Sequence, residues 1–223
     1  MLRILTLAGL LCLGAAAVAQ TPQRGGTLNY TAPYGSSFST LDAHAAVTIQ
    51  DSIFASSIHR SLYRWDPHAN KPALELASEV TASADGRVFT YKLLRNAVFH
   101  HGKPLTADDV IWSYQRIATP SNAFPGARRI AAIEGAADFM VGKATTISGL
   151  RKIDDHTLEI TFTQPTDPGF ALMPDNMAIL PSDIAGRPDF AQKPSGLGPF
   201  RFVEHVPGSQ AVVARFDRYY KEG

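Results

Sequence analysis

The chain has 223 residues, of which 45% are hydrophobic and 18% charged, and its formal net charge is +1. This composition is typical of a globular protein, and a near-neutral chain without a basic run argues against nucleic acid and anionic lipid as partners. The single cysteine, Cys12, lies in an N-terminal apolar segment, so the rest of the chain has no disulfide, thiol nucleophile or zinc–thiolate site.

Residues 1–19 are typical of a secretory signal peptide. Arg3 supplies a short basic region, residues 4–18 are apolar, and Ala17-Val18-Ala19 is a small-x-small cleavage site. The apolar run is too short, and too rich in glycine and alanine, to favour a membrane anchor. Cys12 follows Leu10-Leu11 and not the small residue that precedes a lipidated cysteine, which argues against a lipoprotein. We therefore expect cleavage after Ala19 and export of residues 20–223.

Periodicity predicts the first elements after the signal. Alternating side chains predict a strand over residues 27–32, followed by a loop rich in glycine and serine over residues 33–40. Apolar residues at helical spacing between Ile49 and Leu62 predict a helix. Asp85-Gly86 then predicts a tight turn into an alternating strand, because glycine supplies the positive φ that such a turn needs.

A capped helix is predicted next. Thr106 is a candidate N-cap with Asp109 three residues on, and acidic residues in the first turn suit the helix dipole. Trp112 and Tyr114 are expected in the core. We interpret Asp108-Asp109 as the acidic start of this helix and not as an acid/base pair.

The second half of the chain is less regular. Residues 130–142 predict a weaker helix, and Asp154-Asp155 lies in a turn that precedes an alternating strand. Residues 164–189 are rich in proline and are expected to be irregular. A last hairpin is predicted over Gly198–Glu204 and Gln210–Phe216, turning at Pro207-Gly208.

Two stretches in this order resemble a known family. Asp85 to Trp112 reads D-G-R-V-F-T-Y-K-L-L-R-N-A-V-F-H-H-G-K-P-L-T-A-D-D-V-I-W, and Ser195 to Tyr220 contains S-G-L-G-P-F-R-F-V-E and R-F-D-R-Y-Y. Both resemble the extracellular solute-binding proteins, family 5, which feed ABC importers of peptides and nickel. The resemblance runs from Gly25 to the last residue.

The resemblance implies a fold. We expect an α/β fold like that of type II periplasmic binding proteins, with the larger lobe only, built as a mixed sheet with flanking helices and hairpins. The family's chains are more than twice this long and have two lobes joined by a hinge. Residues 20–223 are therefore expected to be an incomplete N-terminal part of lobe I, with the second lobe missing.

The resemblance also implies a function. We expect a monomeric periplasmic component of an ABC importer that captures short peptides between two lobes and docks on a membrane permease. Nickel chelates, opines and other small amphipathic solutes are the alternatives within the family. One lobe by itself is expected to bind weakly or not at all, because closure needs contacts with both lobes.

Binding residues are expected in three loops, following the family's pattern. The first loop, Tyr34 to Leu41, supplies Tyr34, Ser36, Ser37 and Phe38. The second, Ala123 to Pro125, supplies Phe124, whose alternative role is a loop anchor packed on the core. The third, Met173 to Met177, supplies Asn176, whose alternative role is to shape a turn.

The sequence predicts no catalytic residue, metal site or cofactor. It contains no G-x-S-x-G, H-E-x-x-H or S-x-x-K motif, and His100 and His101 are adjacent on a predicted strand, where their side chains point to opposite faces. His100 is expected to have a structural role. Two other classes stay open: a secreted hydrolase whose catalytic residues lie in the missing half, and a periplasmic chaperone or scaffold that uses an exposed cleft wall.

Overall fold

A computed structural model describes residues 25–30, 39–207 and 209–221. Residues 25–30 belong to one unit, Met1–Thr31, and the other described residues belong to a second, Ala32–Gly223. Residues 25–30 have no regular secondary structure and are exposed, so the strand predicted over residues 27–32 does not form in its described part. The predicted signal peptide lies outside the described residues. In the described ranges no helix is long and apolar enough to cross a bilayer.

The second unit contains both helices and strands, in groups that follow one another along the chain. The helices are α1 Ile49–Ile58, α2 Ala107–Ala118, α3 Ala127–Ile130, α4 Ala136–Met140 and α5 Pro168–Leu172, with 3-10 helices at Ala43–Ala45, Pro120–Asn122 and Asp175–Met177. The strands are β1 Tyr63–Asp66, β2 Lys71–Leu74, β3 Ala77–Ala82, β4 Val88–Leu93, β5 Leu150–Asp154, β6 Thr157–Thr161, β7 Phe200–Val206 and β8 Gln210–Arg215. The α/β class and the hairpins are as predicted.

The sheet pairing corrects one expectation. The strands form two hairpin sheets, β1-β2 and β7-β8, and one four-stranded sheet in the order β3-β4-β6-β5. Each of these pairings is antiparallel, so the described residues do not form the mixed sheet that we expected. Tight turns join β3 to β4 and β5 to β6 and permit only antiparallel neighbours, whereas the β4-β6 pairing is a long-range contact. Gly86, with φ of +68°, makes the first of these turns.

One face of the four-stranded sheet carries α2. Phe89, Tyr91 and Leu93 alternate inwards along β4, and Tyr91 pairs with Leu158 of β6. Tyr114 of α2 is fully buried in the same cluster. Trp112 is only partly buried and packs against a second, smaller cluster. The core prediction is confirmed for Tyr114, whereas Trp112 lies at the core's edge.

The helix cap predicted at Thr106 forms, and a second cap that was not predicted is present at Thr48. Thr106 and Asp109 make a capping box at the start of α2, and Thr48 with Asp51 makes another at the start of α1. The weaker helix predicted over residues 130–142 is broken into α3 and α4. Ile133 leaves the helix to pair with Phe162 at the edge of the sheet, and Gly135 turns the chain with φ of +77°.

The two stretches that carry the family resemblance meet at the end of α1. The amide of Gly198 donates to the Ile58 carbonyl at 2.7 Å, and the His100 amide donates to the Gly196 carbonyl at 3.0 Å. A Cβ at Gly196 would overlap the carbonyl oxygen of Ile58, so the chains approach this closely only with glycine there. Both ring nitrogens of His100 contact this turn, through the Gly196 amide and the Gly198 carbonyl, which confirms its structural role.

Candidate functional site

Segments from the three predicted loops lie together around the 3-10 helix Ala43–Ala45. The ring of His44, in this short helix, packs edge-on against Phe124 with centroids 5.8 Å apart. His44 Nε2 is 2.8 Å from the carbonyl oxygen of Ala178, two residues after Asn176. A Cβ at Gly126, the residue after the second loop, would lie 3.1 Å from the backbone oxygen of Asn176, so the end of the second loop is close to the third loop.

The first loop ends on α1. The backbone amide of Ser39 donates to Asp51 Oδ1 at 2.7 Å, and the Ser39 hydroxyl donates to Oδ2 at 3.0 Å. Burial raises the pKa of Asp51, but hydrogen bonds from Thr48 and Ser39 outweigh this, and the pKa lies below its usual 3.8. An ionised carboxylate thus fixes the end of this loop at the N-terminus of α1. Tyr34, Ser36, Ser37 and Phe38 precede Ser39 and lie outside the described residues.

Phe124 is half-buried and lies on a cation. The guanidinium carbon of Arg116 is 4.7 Å from the centroid of its ring, within the range of a cation–π contact. Arg116 also forms an ion pair with Asp42 and donates from Nη1 to His44 Nδ1 at 2.8 Å. Phe124 is therefore supported from below by α2 and keeps part of its ring accessible. Phe124 is not among the residues that line the groove described below.

His44 is neutral in this arrangement. Because Arg116 can only donate, His44 Nδ1 must accept, and Nε2 then carries the proton that it donates to Ala178. Burial lowers the pKa of His44 to about 4, and the Arg116 charge acts in the same direction against Asp42. Burial also raises the pKa of Asp42, but the Arg116 hydrogen bond and charge bring it below 3.8. The cluster therefore contains the Asp42–Arg116 ion pair beside a neutral imidazole.

A shallow groove of about 370 Å³ runs along the outer face of α1. Its apolar side chains are exposed, Ile49 with 65% of its surface accessible. Its polar lining comes from Thr48, Ser52, Ser56 and Asn176. Asn176 Oδ1 is buried and has no hydrogen-bond partner within the described part of the chain. An unsatisfied buried acceptor is costly. Tyr114 Oη in the core is unsatisfied in the same way among the described residues, so this feature alone does not assign a role to Asn176.

Sequence reasoning missed a second, larger cavity of about 560 Å³ at the other end of α1. Glu75 lies in its wall with only 1% of its side chain exposed, and it pairs with Arg60, Arg64 and Lys221. Tyr220 donates to Glu75 Oε1 at 2.7 Å. No sequence pattern predicts this cluster, because its members come from the end of α1, from β1 and from the chain after β8.

A serine, a histidine and an aspartate are also joined by hydrogen bonds. His101 Nδ1 is 2.8 Å from Ser195 Oγ, and His101 Nε2 is 3.2 Å from Asp183 Oδ2. Ser195 is buried and lines neither of the two cavities described here. A hydrolytic nucleophile needs an accessible oxygen with room for a carbonyl group beside it. The three residues instead connect the Ser195 turn to the turn that contains His100 and His101, so these two histidines do not lie on a strand as the sequence predicted.

Comparison with known proteins decides the family. The family model described as "Bacterial extracellular solute-binding proteins, family 5 Middle" matches residues 71–223. The chain belongs to this family. A similar curated protein is the periplasmic oligopeptide-binding protein OppA of Salmonella typhimurium, 27% identical over 83% of this chain and 35% of its own length. The periplasmic murein peptide-binding protein MppA of Escherichia coli is 32% identical over 62% of this chain and 27% of its own.

Solved structures of this family share the fold. A periplasmic oligopeptide-binding protein of Borrelia burgdorferi superposes with a TM-score of 0.76 and 25% identity, over 83% of this chain and 39% of its own. The fold is therefore that of a periplasmic binding protein, as expected, and the match covers part of it. The chain spans about 35% of the length of the OppA protein that it matches.

Proposed function

We propose that this chain is the solute-binding component of an ABC importer, acting in the periplasm and delivering its solute to a membrane permease. Family membership supports binding over catalysis, since the matching model describes solute-binding proteins. The names of OppA and MppA support short peptides as the solute class. A nickel chelate or an opine is the alternative within the family. The signal-like residues 1–19 support export, and we propose that the exported chain is a monomer without a cofactor.

The proposal of a solute site on α1 rests on Asn176 and the groove beside it. Asn176 lines a groove in which Val47, Ile49 and Ile53 are exposed, and its buried side-chain oxygen has no hydrogen-bond partner among the described residues. A peptide offers both complements, a backbone N–H group to donate to Asn176 Oδ1 and an apolar side chain to cover Val47, Ile49 and Ile53. Burying one such side chain contributes about 1.5–3 kcal/mol.

We further propose that the other predicted residues extend this site. Phe124 lies across the 3-10 helix Ala43–Ala45 from the groove and offers an accessible ring edge. Tyr34, Ser36, Ser37 and Phe38 precede Ser39, and the attachment of Ser39 to Asp51 brings their loop to the start of α1. Binding of the solute involves no chemical reaction. The solute biases a hinge between two lobes by contacting both of them, and the closed form docks on the permease.

The test is equilibrium dialysis of residues 20–223 against the tripeptide Ala-Leu-Ala. We expect a dissociation constant of about 1 mM, because a single lobe supplies only part of the contacts. Asn176→Leu should weaken binding about tenfold or more without lowering the melting temperature, since it replaces an unsatisfied acceptor by an apolar group of similar size. Gln210→Leu, which removes an exposed amide on β8, is the matched control and should bind as the parent does. Tripeptide binding that is equally strong in the parent and in Asn176→Leu would refute a solute site at Asn176.

A further inference from the structure

The groove on α1 has no charged side chain in its lining. Four of the lining residues are aliphatic and four are neutral and polar: Ala46, Val47, Thr48, Ile49, Ser52, Ile53, Ser56 and Asn176. Val47 and Ile49 are the most exposed of the aliphatic side chains, at 72% and 65%. The lining therefore offers apolar surface to a solute but no counter-ion. A charged group that leaves water for this surface loses hydration and gains no ionic partner.

A buried carboxylate lies next to one end of this groove. Asp51 Oδ2 is 3.2 Å from the backbone nitrogen of Thr48 and 3.4 Å from that of Val47, and both residues line the groove. The Asp51 side chain is buried. Burial raises the pKa of Asp51, but hydrogen bonds from Thr48 and Ser39 bring it below 3.8. Asp51 is therefore ionised at neutral pH.

Among the described residues, Asp51 has no cation as a partner. Its hydrogen bonds come from Ser39, Thr40, Val47 and Thr48, and each donor is a backbone amide or a hydroxyl group. The positive end of the α1 dipole offsets only roughly half of one charge. A negative potential therefore remains at this end of the groove. The same hydrogen bonds occupy the amides of Val47 and Thr48, which an anionic group of a solute would otherwise use.

The unsatisfied polar atom of the groove has the same preference. Asn176 Oδ1 is buried and accepts no hydrogen bond from the described residues. An amide oxygen can only accept, so it suits an N–H or O–H group and not a carboxylate. The Ser56 hydroxyl donates to the Ile53 carbonyl at 2.8 Å and is engaged within the helix. The charge of Asp51 and the acceptor of Asn176 therefore both disfavour an anion.

We propose that the groove on α1 selects solutes by charge: it accepts an uncharged aliphatic side chain and rejects an acidic one, and Asp51 sets this preference. Asp51 acts through its charge and does not contact the solute. This inference rests on the proposed solute site on α1, which it deepens by fixing the class of side chain that the groove accepts. A cationic side chain ranks between the two, because it is attracted by Asp51 but loses hydration on the apolar surface.

The experiment titrates isoleucine-labelled residues 20–223 with Ala-Leu-Ala, Ala-Lys-Ala and Ala-Glu-Ala at one ionic strength and neutral pH. The three probes differ only in the central side chain, and the methyl shifts of Ile49 and Ile53 report apparent affinity. We expect the leucine peptide to bind about tenfold or more tightly than the glutamate peptide, as for burial of one apolar side chain. The lysine peptide should bind about fivefold more tightly than the glutamate peptide, because one partly offset charge attracts the first and repels the second.

Val47→Lys puts a cation at an exposed position beside Asp51. It should reverse the preference, so that the glutamate peptide binds more tightly than the lysine peptide. Val141→Lys is the matched control, since Val141 is 67% exposed and lies outside the groove, and it should keep the parental order. Asp51→Asn removes the charge itself and should bring the lysine and glutamate peptides to within about twofold of each other.

Each outcome decides a separate point. Equal affinity of the parent for the leucine and glutamate peptides overturns this inference and leaves the solute site on α1 standing. A parental lysine-to-glutamate ratio in Val47→Lys also overturns it, and the same ratio in a folded Asp51→Asn variant removes the role of Asp51. Binding of Ala-Leu-Ala in dialysis without a shift at Ile49 or Ile53 overturns the solute site and this inference together. No shift with any peptide overturns this inference, because the groove then accepts no aliphatic side chain.

Discussion

The guanidinium group of Arg116 lies 4.7 Å from the ring centroid of Phe124, and the two side chains come from α2 and from the loop after it. The same guanidinium pairs with Asp42 and donates to His44. Phe124 is therefore anchored on Arg116 and His44 while it stays half-buried, and its role in solute binding remains a prediction.

Phe124→Ala should weaken solute binding by about 1–3 kcal/mol, the scale for burying one large side chain when ligand arrives. The melting temperature of the free protein should fall only slightly, because the ring is half-buried. Phe162→Ala is the control for a core ring, since Phe162 is fully buried and its truncation should cost about 3–5 kcal/mol of stability. Equilibrium dialysis measures the solute affinity of both variants, and thermal melting measures their stability. A large loss of stability with unchanged affinity would remove Phe124 from the site.

Asp108 and Asp109 are adjacent in sequence but differ in burial and in their interactions. Asp109 is fully buried and accepts hydrogen bonds from Thr106 and Ser182 and an ion pair from Lys103, whereas Asp108 is 60% exposed and pairs only with Lys152 among the interactions described. Asp109→Ala should destabilise the fold by about 3–5 kcal/mol, because it leaves a partly buried cation and a helix start without their acceptor.

Asp108→Ala should change stability by less than about 1 kcal/mol, as for an exposed ion pair. Urea denaturation of the two variants is a matched comparison, because the substitutions are one residue apart. Similar losses for both would show that the capping box and the buried ion pair contribute little to folding.

Much of the local structure was predictable for physical reasons. The Thr106–Asp109 box, the Asp85-Gly86 turn and the last hairpin each depend on residues close in sequence. The prediction of one continuous helix over residues 130–142 was wrong. Ile133 pairs with Phe162, and periodicity in the sequence does not show such a tertiary contact.

The candidate site was predictable only in part. A family pattern located Phe124 and Asn176 in loops, and the structure brings those loops together. The Glu75 cluster was not predictable, because Lys221 is more than 150 residues from Arg60 and Arg64 in the chain. The groove on α1 was missed for another reason. The apolar spacing from Ile49 to Ile58 predicts a buried face, yet Ile49 and Ile53 are exposed.

Gly196→Ala should prevent the close approach of the Ser195–Pro199 turn to α1, because the new Cβ would overlap the Ile58 carbonyl and lie 2.8 Å from its carbon. We expect a loss of stability of about 2 kcal/mol or more, with backbone movement at the end of α1. Gly186→Ala is the control, since the nearest atom to its Cβ would be 3.8 Å away on Trp112. Chemical denaturation distinguishes the two, and equal stability of both variants would contradict the close packing.

The free energy of unfolding should decrease as the pH is lowered from about 6.5 to about 4. Burial lowers the pKa of His44, His59 and His100 to about 4, against 6.5 in the unfolded chain. The unfolded state therefore binds more protons across this interval, and stability present above pH 6.5 is lost as the pH falls towards 4. Urea denaturation at pH 7.5, 5.5 and 4.5 measures this. An unfolding free energy that is constant over the three values would mean that these histidines are not buried as neutral side chains.

The most direct test of the central claim is a methyl NMR titration of the isoleucine-labelled chain with Ala-Leu-Ala. The account predicts progressive shifts for the methyl groups of Ile49 and Ile53, in the groove on α1, with little change at Ile160 and Ile179 in the core. Asn176→Leu should reduce these shifts at the same peptide concentration. Unmoved Ile49 and Ile53 signals, or shifts confined to other parts of the protein, would contradict a solute site on α1.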